Sequence, residues 1–273
     1  MNEVYFPGLE EFYDRFVHAV KGSGKERDFI LKWGLQALPE VHDILSNNVQ
    51  GGYDSHRQSM LAVPVGGSVL TIGPGMGFCV FLLSEIYDFV FTAEPDEESC
   101  VLLEAISEHY ITNKNRKASE TVKIYHAGIN ITGDAVNYWE TKRRLMKKRN
   151  VKGSILNFDI KGAGELRDTF REKVSRVYLH KVLSSLSIAC TFEDVIAEIT
   201  LLLDGKGVIT WSEPSYIFTD ILQVEPPDRI ESKLKSIFDK HNMNVDIVEY
   251  EVSNRDGESS LTEKWTLIKV WRP

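Results

Sequence analysis

Four residues within one short stretch carry the most chemistry. Between Val69 and Asp96 the chain reads VLTIGPGMGFCVFLLSEIYDFVFTAEPD, with glycine at alternate positions 73, 75 and 77. Glycines so spaced let the backbone turn sharply and approach a ligand with no Cβ in the way. Glu94 closes a second apolar run about 20 residues later, where a carboxylate can accept bonds from both hydroxyls of a ribose. The pair of features predicts an adenosine-containing ligand. It is not the dinucleotide fingerprint G-x-G-x-x-G, because the third glycine arrives one residue early and Phe78 stands where that pattern needs glycine. A phosphate-cradling G-x-x-x-x-G-K-[ST] is absent as well.

These residues need a strand, a turn, a helix and a second strand to hold them. The spacing predicts strands over Val69–Ile72 and Phe89–Ala93 with a helix over Phe78–Ile86 between them. Further strands are expected at Arg176–His180 and Gly207–Trp211, and helices at Glu97–Ile111 and Phe192–Leu203. The run Leu203 to Gly207 reads as a helix stop and turn. Such alternation predicts a mostly parallel sheet covered on both faces by helices. After a helix at Lys233–His241, Val245–Val252 and Trp265–Trp271 alternate apolar with polar, joined through Asn254–Gly257 as in a long hairpin. Ahead of the sheet, Leu9, Phe12, Tyr13, Phe16, Val17 and Val20 form one apolar helical face. Lys21 to Gly24 ends that helix, a second covers Glu26–Ala37, Pro39 breaks the chain and Val41–Leu45 is a further short piece. Ser46–Gln58 reads as a loop. The expected organisation is an N-terminal helical extension over 1–60 and a core domain over 61–273, with an insertion at about 130–153. Helices ahead of a first core strand can cap a cofactor cleft.

The G-x-G-x-G turn followed by Glu94-Pro95-Asp96 resembles motif I and the partner acid of class I S-adenosylmethionine-dependent methyltransferases. The closing strand pair is a second point of resemblance, and together they cover roughly Ser68 to Pro273. The resemblance implies a Rossmann-like, mostly parallel seven-stranded sheet whose last strand is antiparallel. It implies S-adenosyl-L-methionine as cofactor and methyl transfer to an acceptor, a small molecule being favoured over a macromolecule. The cofactor-binding residues it implies are Thr71, Gly73, Pro74, Gly75, Gly77, Glu94, Pro95, Asp159, Ile160 and His180; Pro95 and Asp96 also suit a helix start. Two segments compete for the third strand, Val122–Ala127 and Ser154–Phe158. The second is favoured because Asp159 would then stand at a strand end, where the family bonds the adenine amino group. In the other case Gly128 and Ile129 would take that place through backbone contacts.

Ligands of such sheets sit beyond the C-terminal strand ends, so His180 and Lys181 can face the methyl acceptor. His180 is a candidate base, although a bonded structural histidine is the commoner case. Trp211-Ser212-Glu213-Pro214 can line the acceptor pocket, although core packing is the commoner role for a residue such as Trp211. The [DN]-P-P-[YF] of many family amino-group methyltransferases is missing, which disfavours those acceptors. Two alternatives share the fold: an aminopropyl or aminocarboxypropyl transferase, nicotianamine- or polyamine-synthase-like, holding an amine on Asp159 and Glu213, and a non-catalytic cofactor-binding protein. Between the competing strands, Ala135–Lys148 reads as a helix. Its basic run Lys142, Arg143, Arg144, Lys147, Lys148 and Arg149 either touches phosphates of RNA or an anionic surface, or is a solvated face.

The chain has 273 residues, 42% of them hydrophobic, enough to bury a large core. A net charge of −8 argues against a general nucleic-acid coat. Its three cysteines, Cys79, Cys100 and Cys190, lie far apart without metal-ligand spacing, so neither zinc nor a disulfide framework is expected. No basic leader and no continuous apolar run marks a signal peptide or a membrane span. A cytoplasmic, soluble protein is the expectation.

Overall fold

The structure, a computed structural model, describes residues 6–33, 53, 55–61, 67–94, 96–126, 174–180, 182, 193, 196, 200, 203–223, 229–256 and 259–273. Two helices come first, α1 (Leu9–Gly22) and α2 (Glu26–Trp33). Then follow β1 (Ser68–Ile72), α3 (Phe78–Ile86), β2 (Phe89–Glu94), α4 (Glu97–Ser107), β3 (Val122–His126) and β4 (Val174–His180). The chain closes with β5 (Leu203–Pro214), α5 (Ser215–Leu222), α6 (Arg229–Lys240), β6 (Asn244–Asp256) and β7 (Ser259–Trp271).

Among the described residues seven strands form one sheet in the order β3-β2-β1-β4-β5-β7-β6. The pairs from β3 to β5 are parallel, and β7 runs antiparallel to both its neighbours. This is the Rossmann-like sheet that the resemblance implied. From β1 the chain winds outward to β3 and then returns to β4 on the other side of β1. That reversal is a topological switch point, the place beyond the strand ends where ligands of open α/β sheets bind.

Alternate residues of the parallel strands feed two cores. Leu70, Ile72, Phe91, Ala93, Val177, Leu179, Ile209 and Trp211 join Phe218 of α5 and Leu234 of α6. Val69, Val90, Val122 and Tyr178 join α3, α4 and α1 on the opposite face. Every residue of α3 from Cys79 to Ile86 is buried. A helix apolar all round needs cover on its outer side, and α1 supplies it. The Phe16 ring lies 5.0 Å from Phe78 and 5.3 Å from Phe81. One acid is enclosed there: Glu85 accepts from Arg15 Nη1 (2.9 Å), Tyr110 Oη (2.7 Å) and the Asn113 N–H (2.8 Å).

Several expectations are corrected. The third strand is Val122–His126, paired with β2 so that His126 stands beside Glu94; Ser154–Phe158, the favoured candidate, lies outside the described residues. Val122 heads the first strand-capable run after α4, and the exposed charge of Lys123 suits the sheet edge it occupies. Helix α4 stops at Ser107, short of Ile111, and beyond it Tyr110 is buried against Glu85. The run from Leu203 is strand, with Val174 opposite Leu203 and Arg176 opposite Val208. The extra residues between form an irregularity in the ladder and not a helix stop. Residues 55–61, partly within the expected loop, are helical. The final hairpin pairs without a break as far as Asp256 and Ser259, so Asn254 to Asp256 are strand residues.

Candidate functional site

The turn after β1 requires three left-handed residues in alternation. Gly73, Gly75 and Gly77 have φ of 63°, 55° and 91°, a region open to glycine at little cost. The Gly73 N–H bonds the Ala93 carbonyl at 2.9 Å, and the Gly77 N–H bonds that of Pro74 at 3.0 Å. The three glycines differ in what a side chain would meet. A Cβ on Gly77 would lie 2.3 Å from Leu103 Cδ2 and 3.1 Å from Phe81, inside the α3–α4 contact. A Cβ on Gly75 would meet nothing nearer than Trp33 Cη2 at 3.9 Å, and one on Gly73 would lie 3.2 Å from Val182. Gly77 therefore serves packing, and Gly75 leaves a face of backbone open.

A substitution pair separates the two roles. Gly77→Ala is expected to destabilise by about 2–4 kcal/mol, from backbone strain and overpacking together. Gly75→Ala is expected to cost about 1–2 kcal/mol in stability and to impair ligand binding. Urea unfolding of both variants checks the first half, and ligand titration the second.

Glu94 ends β2 with its side chain 6% exposed. Its Oε1 accepts the Asp96 N–H at 3.0 Å, and the Gly75 backbone N–H also favours its charged form. Burial pushes its pKa up to about 7, the Asp96 charge adds to the rise, and the N–H bonds and Lys32 oppose it. Asp96 caps α4, accepting from the Ser99 N–H (3.3 Å) and Oγ (2.6 Å). It also pairs with Lys32 Nζ, which reaches Glu98 at 3.0 Å. Burial raises the Asp96 pKa, but the bonds from Lys32 and Ser99 outweigh it and hold the group below its usual range.

Thr71 is buried, with its hydroxyl 3.6 Å from Cys79 Sγ beneath the turn. Burial drives the Cys79 thiol up to about 12, so it stays neutral. Pro95, Asp159, Ile160 and Lys181 lie outside the described residues, as do Gly128, Ile129 and the basic run 142–149.

Across the switch point, Thr71 pairs with Tyr178, and His180 follows on the same face. Ser55 Oγ is 2.7 Å from His180 Nε2, and the His56 ring stacks on His180 at 3.7 Å. His56 Nδ1 and Ser59 Oγ both reach Tyr178 Oη, at 2.7 and 2.8 Å. Trp265 lies 5.2 Å from the His180 ring, and Tyr250, 6.3 Å from Trp265, bonds Ser212 Oγ at 2.5 Å. Trp211 points instead into the opposite core. Glu213 is 1% exposed and accepts from Trp211 Nε1 (3.0 Å) and the Val182 N–H (2.8 Å).

Sequence reasoning brought Glu94 to the glycine turn and His180 to the neighbouring strand end, but missed Lys32, Trp33, Ser55, His56 and Ser59. The spacing of His56 and Ser59, three apart, was the available signal for one helical face. Among the described residues no group of three or more His, Cys, Asp or Glu could hold a metal ion, and no helix is long and apolar enough to cross a membrane.

No protein-family model matches the sequence, and a search of curated proteins finds no match. Solved structures do resemble it. A precorrin-6y C5,15-methyltransferase from Geobacter metallireducens is 12% identical over 80% of this chain and 87% of its own, with a TM-score of 0.47. The precorrin 8w decarboxylase of Methanobacterium thermoautotrophicum is 12% identical over 79% and 88%, with a TM-score of 0.43. DhpI in complex with SAH is 8% identical over 94% and 95%, with a TM-score of 0.44.

Proposed function

We propose that the crevice beyond β1 and β2 binds S-adenosyl-L-methionine and that the protein transfers its methyl group to an acceptor, a small molecule in preference to a macromolecule. The observation that carries the reading is Glu94, a buried carboxylate beside a glycine whose missing side chain leaves room for a ligand. Enclosing an acid that has no ion pair of its own among the described residues is costly, and a ribose diol supplies the two donors that would offset that cost. The residues present fit the cofactor: Glu94 for the ribose, and the backbone from Gly73 to Gly75 as a surface for the rest.

Bound there, the cofactor supplies an electrophilic methyl group on a sulfonium. The chain's part is to bind, to orient and to exclude water. His180, hydrogen-bonded to buried Ser55 through Nε2, is the candidate to hold or move a proton where the acceptor carries one. The Trp265 and Tyr250 rings offer an apolar wall on that side. Pro95, Asp159 and Ile160 belong to the proposed site by resemblance alone and Lys181 by its place in the sequence after His180, while contact of the run 142–149 with RNA or an anionic surface rests on its charge alone.

Glu213 bears on the aminopropyl-transfer alternative. Its carboxylate is engaged by Trp211 and the Val182 N–H, which disfavours it as the acid for an amine substrate. Isothermal titration of the full chain with S-adenosylhomocysteine tests the proposal. Saturable binding supports it, and absence of binding by folded protein overturns it.

A further inference from the structure

We propose that Lys32, on a helix outside the sheet, is a cofactor-positioning residue: it neutralises the acid pair at the end of β2 so that Glu94 meets the ribose as a carboxylate. The proposal rests on the cofactor reading above. It couples the docking of α2 to occupancy of the crevice.

Glu94 and Asp96 are two residues apart, and Asp96 cannot swing away. It is held by the Ser99 N–H and Oγ at the start of α4, and its own N–H is donated to Glu94 Oε1. Its negative charge therefore opposes ionisation of Glu94 at close range. Among the described residues, Cys79 on α3 and Cys100 on α4 also feel Glu94. Burial keeps both thiols neutral, with pKa values near 12, so neither balances the acids. The cation acting on Glu94 comes from α2. Lys32 Nζ bonds Asp96 and Glu98, and its side chain is 14% exposed, so the charge is poorly screened by water.

The next residue ties the same helix to the glycine turn. Trp33 Cη2 stands 3.9 Å from the position of a Gly75 Cβ, and Lys32 Nζ lies 5.6 Å from the Trp33 ring centroid. Docking of α2 thus sets both a charge and a wall at the mouth of the crevice. Whatever free energy α2 docking adds to ligand binding, ligand binding returns to α2 docking.

The test is titration of the full chain with S-adenosylhomocysteine across the neutral pH range, for the unmodified protein, Lys32→Met, Lys32→Arg, Glu94→Gln and the Lys32→Met/Glu94→Gln double variant. Lys32→Met is expected to bind several-fold more weakly near pH 7, because the Glu94 carboxylate loses a nearby positive charge, with the deficit shrinking as pH rises. Lys32→Arg restores binding, and Lys32→Met has little further effect once Glu94 is glutamine. Binding by Lys32→Met equal to the unmodified protein at every pH overturns the inference alone. So does an equal loss in both Glu94 backgrounds, which marks a merely structural role. No binding by the unmodified protein overturns the cofactor reading and this inference with it.

Discussion

Glu94→Ala is expected to weaken S-adenosylhomocysteine binding by at least two orders of magnitude, or about 3 kcal/mol, because two charge-assisted hydrogen bonds to the ribose are lost. Glu94→Gln keeps the shape but not the charge and should lose nearly as much. Isothermal titration reads both. The unliganded protein responds in the opposite sense. Burial lifts the Glu94 pKa from 4.5 to about 7, so the folded state holds this proton more tightly than the unfolded chain does. The protonated group's contribution is fully present below about pH 4.5 and is lost as pH rises through about 7, an effect of the order of 2–3 kcal/mol. Above that range Glu94→Gln should make the free protein more stable while weakening its ligand affinity. That combination marks a residue retained for binding at a cost to stability. A diol donating to the carboxylate favours its charged form, so affinity should fall as pH drops below about 7, with a proton released on binding. Titration in buffers of different ionisation heat measures that proton, and urea unfolding on either side of neutrality measures the stability slope.

Glu85→Ala is expected to destabilise the fold by about 3–5 kcal/mol, as removing one partner of a buried ion pair does. Its side chain is wholly enclosed, and it serves three donors from two parts of the chain: Arg15 on α1, and Tyr110 and the Asn113 N–H beyond α4. Deleting the acid strands all of them. Arg15 is 21% exposed and can hydrate in part, which places the cost toward the lower end. The same arginine also pairs with Glu11, an acid 48% exposed one helical turn away. Glu11→Ala should change stability by only about 0–1 kcal/mol, since an exposed pair is screened by solvent. Urea unfolding of the two variants side by side checks the contrast.

Local chemistry was legible in the sequence wherever it had a short-range cause. The glycine turn, the helix bounds Phe78–Ile86 and the strands on either side follow from apolar periodicity and from positions that only glycine tolerates. The arrival of Glu94 at the turn follows too, because a strand–helix–strand unit returns its second strand beside the first. The closing hairpin was readable from two alternating runs, and the sheet class followed from the order of elements.

What the chain kept hidden was every choice between distant partners. Val122–His126 and Ser154–Phe158 read alike as strands, and only the pairing of β3 against β2 makes the former the sheet edge. All three glycines read as ligand glycines, yet Leu103, 26 positions on, makes Gly77 a packing residue. Nothing local marks Glu85 as an enclosed acid, and its ion-pair partner Arg15 is 70 residues away. Ser55 and His56 lie 125 and 124 positions from His180, and Lys32 lies 64 from Asp96. Periodicity and turn chemistry act over a few residues, so the sequence by itself determined the elements and the glycine turn between them. Burial and charge pairing act through space, so which side chains complete the site was decided only when the tertiary structure brought them together.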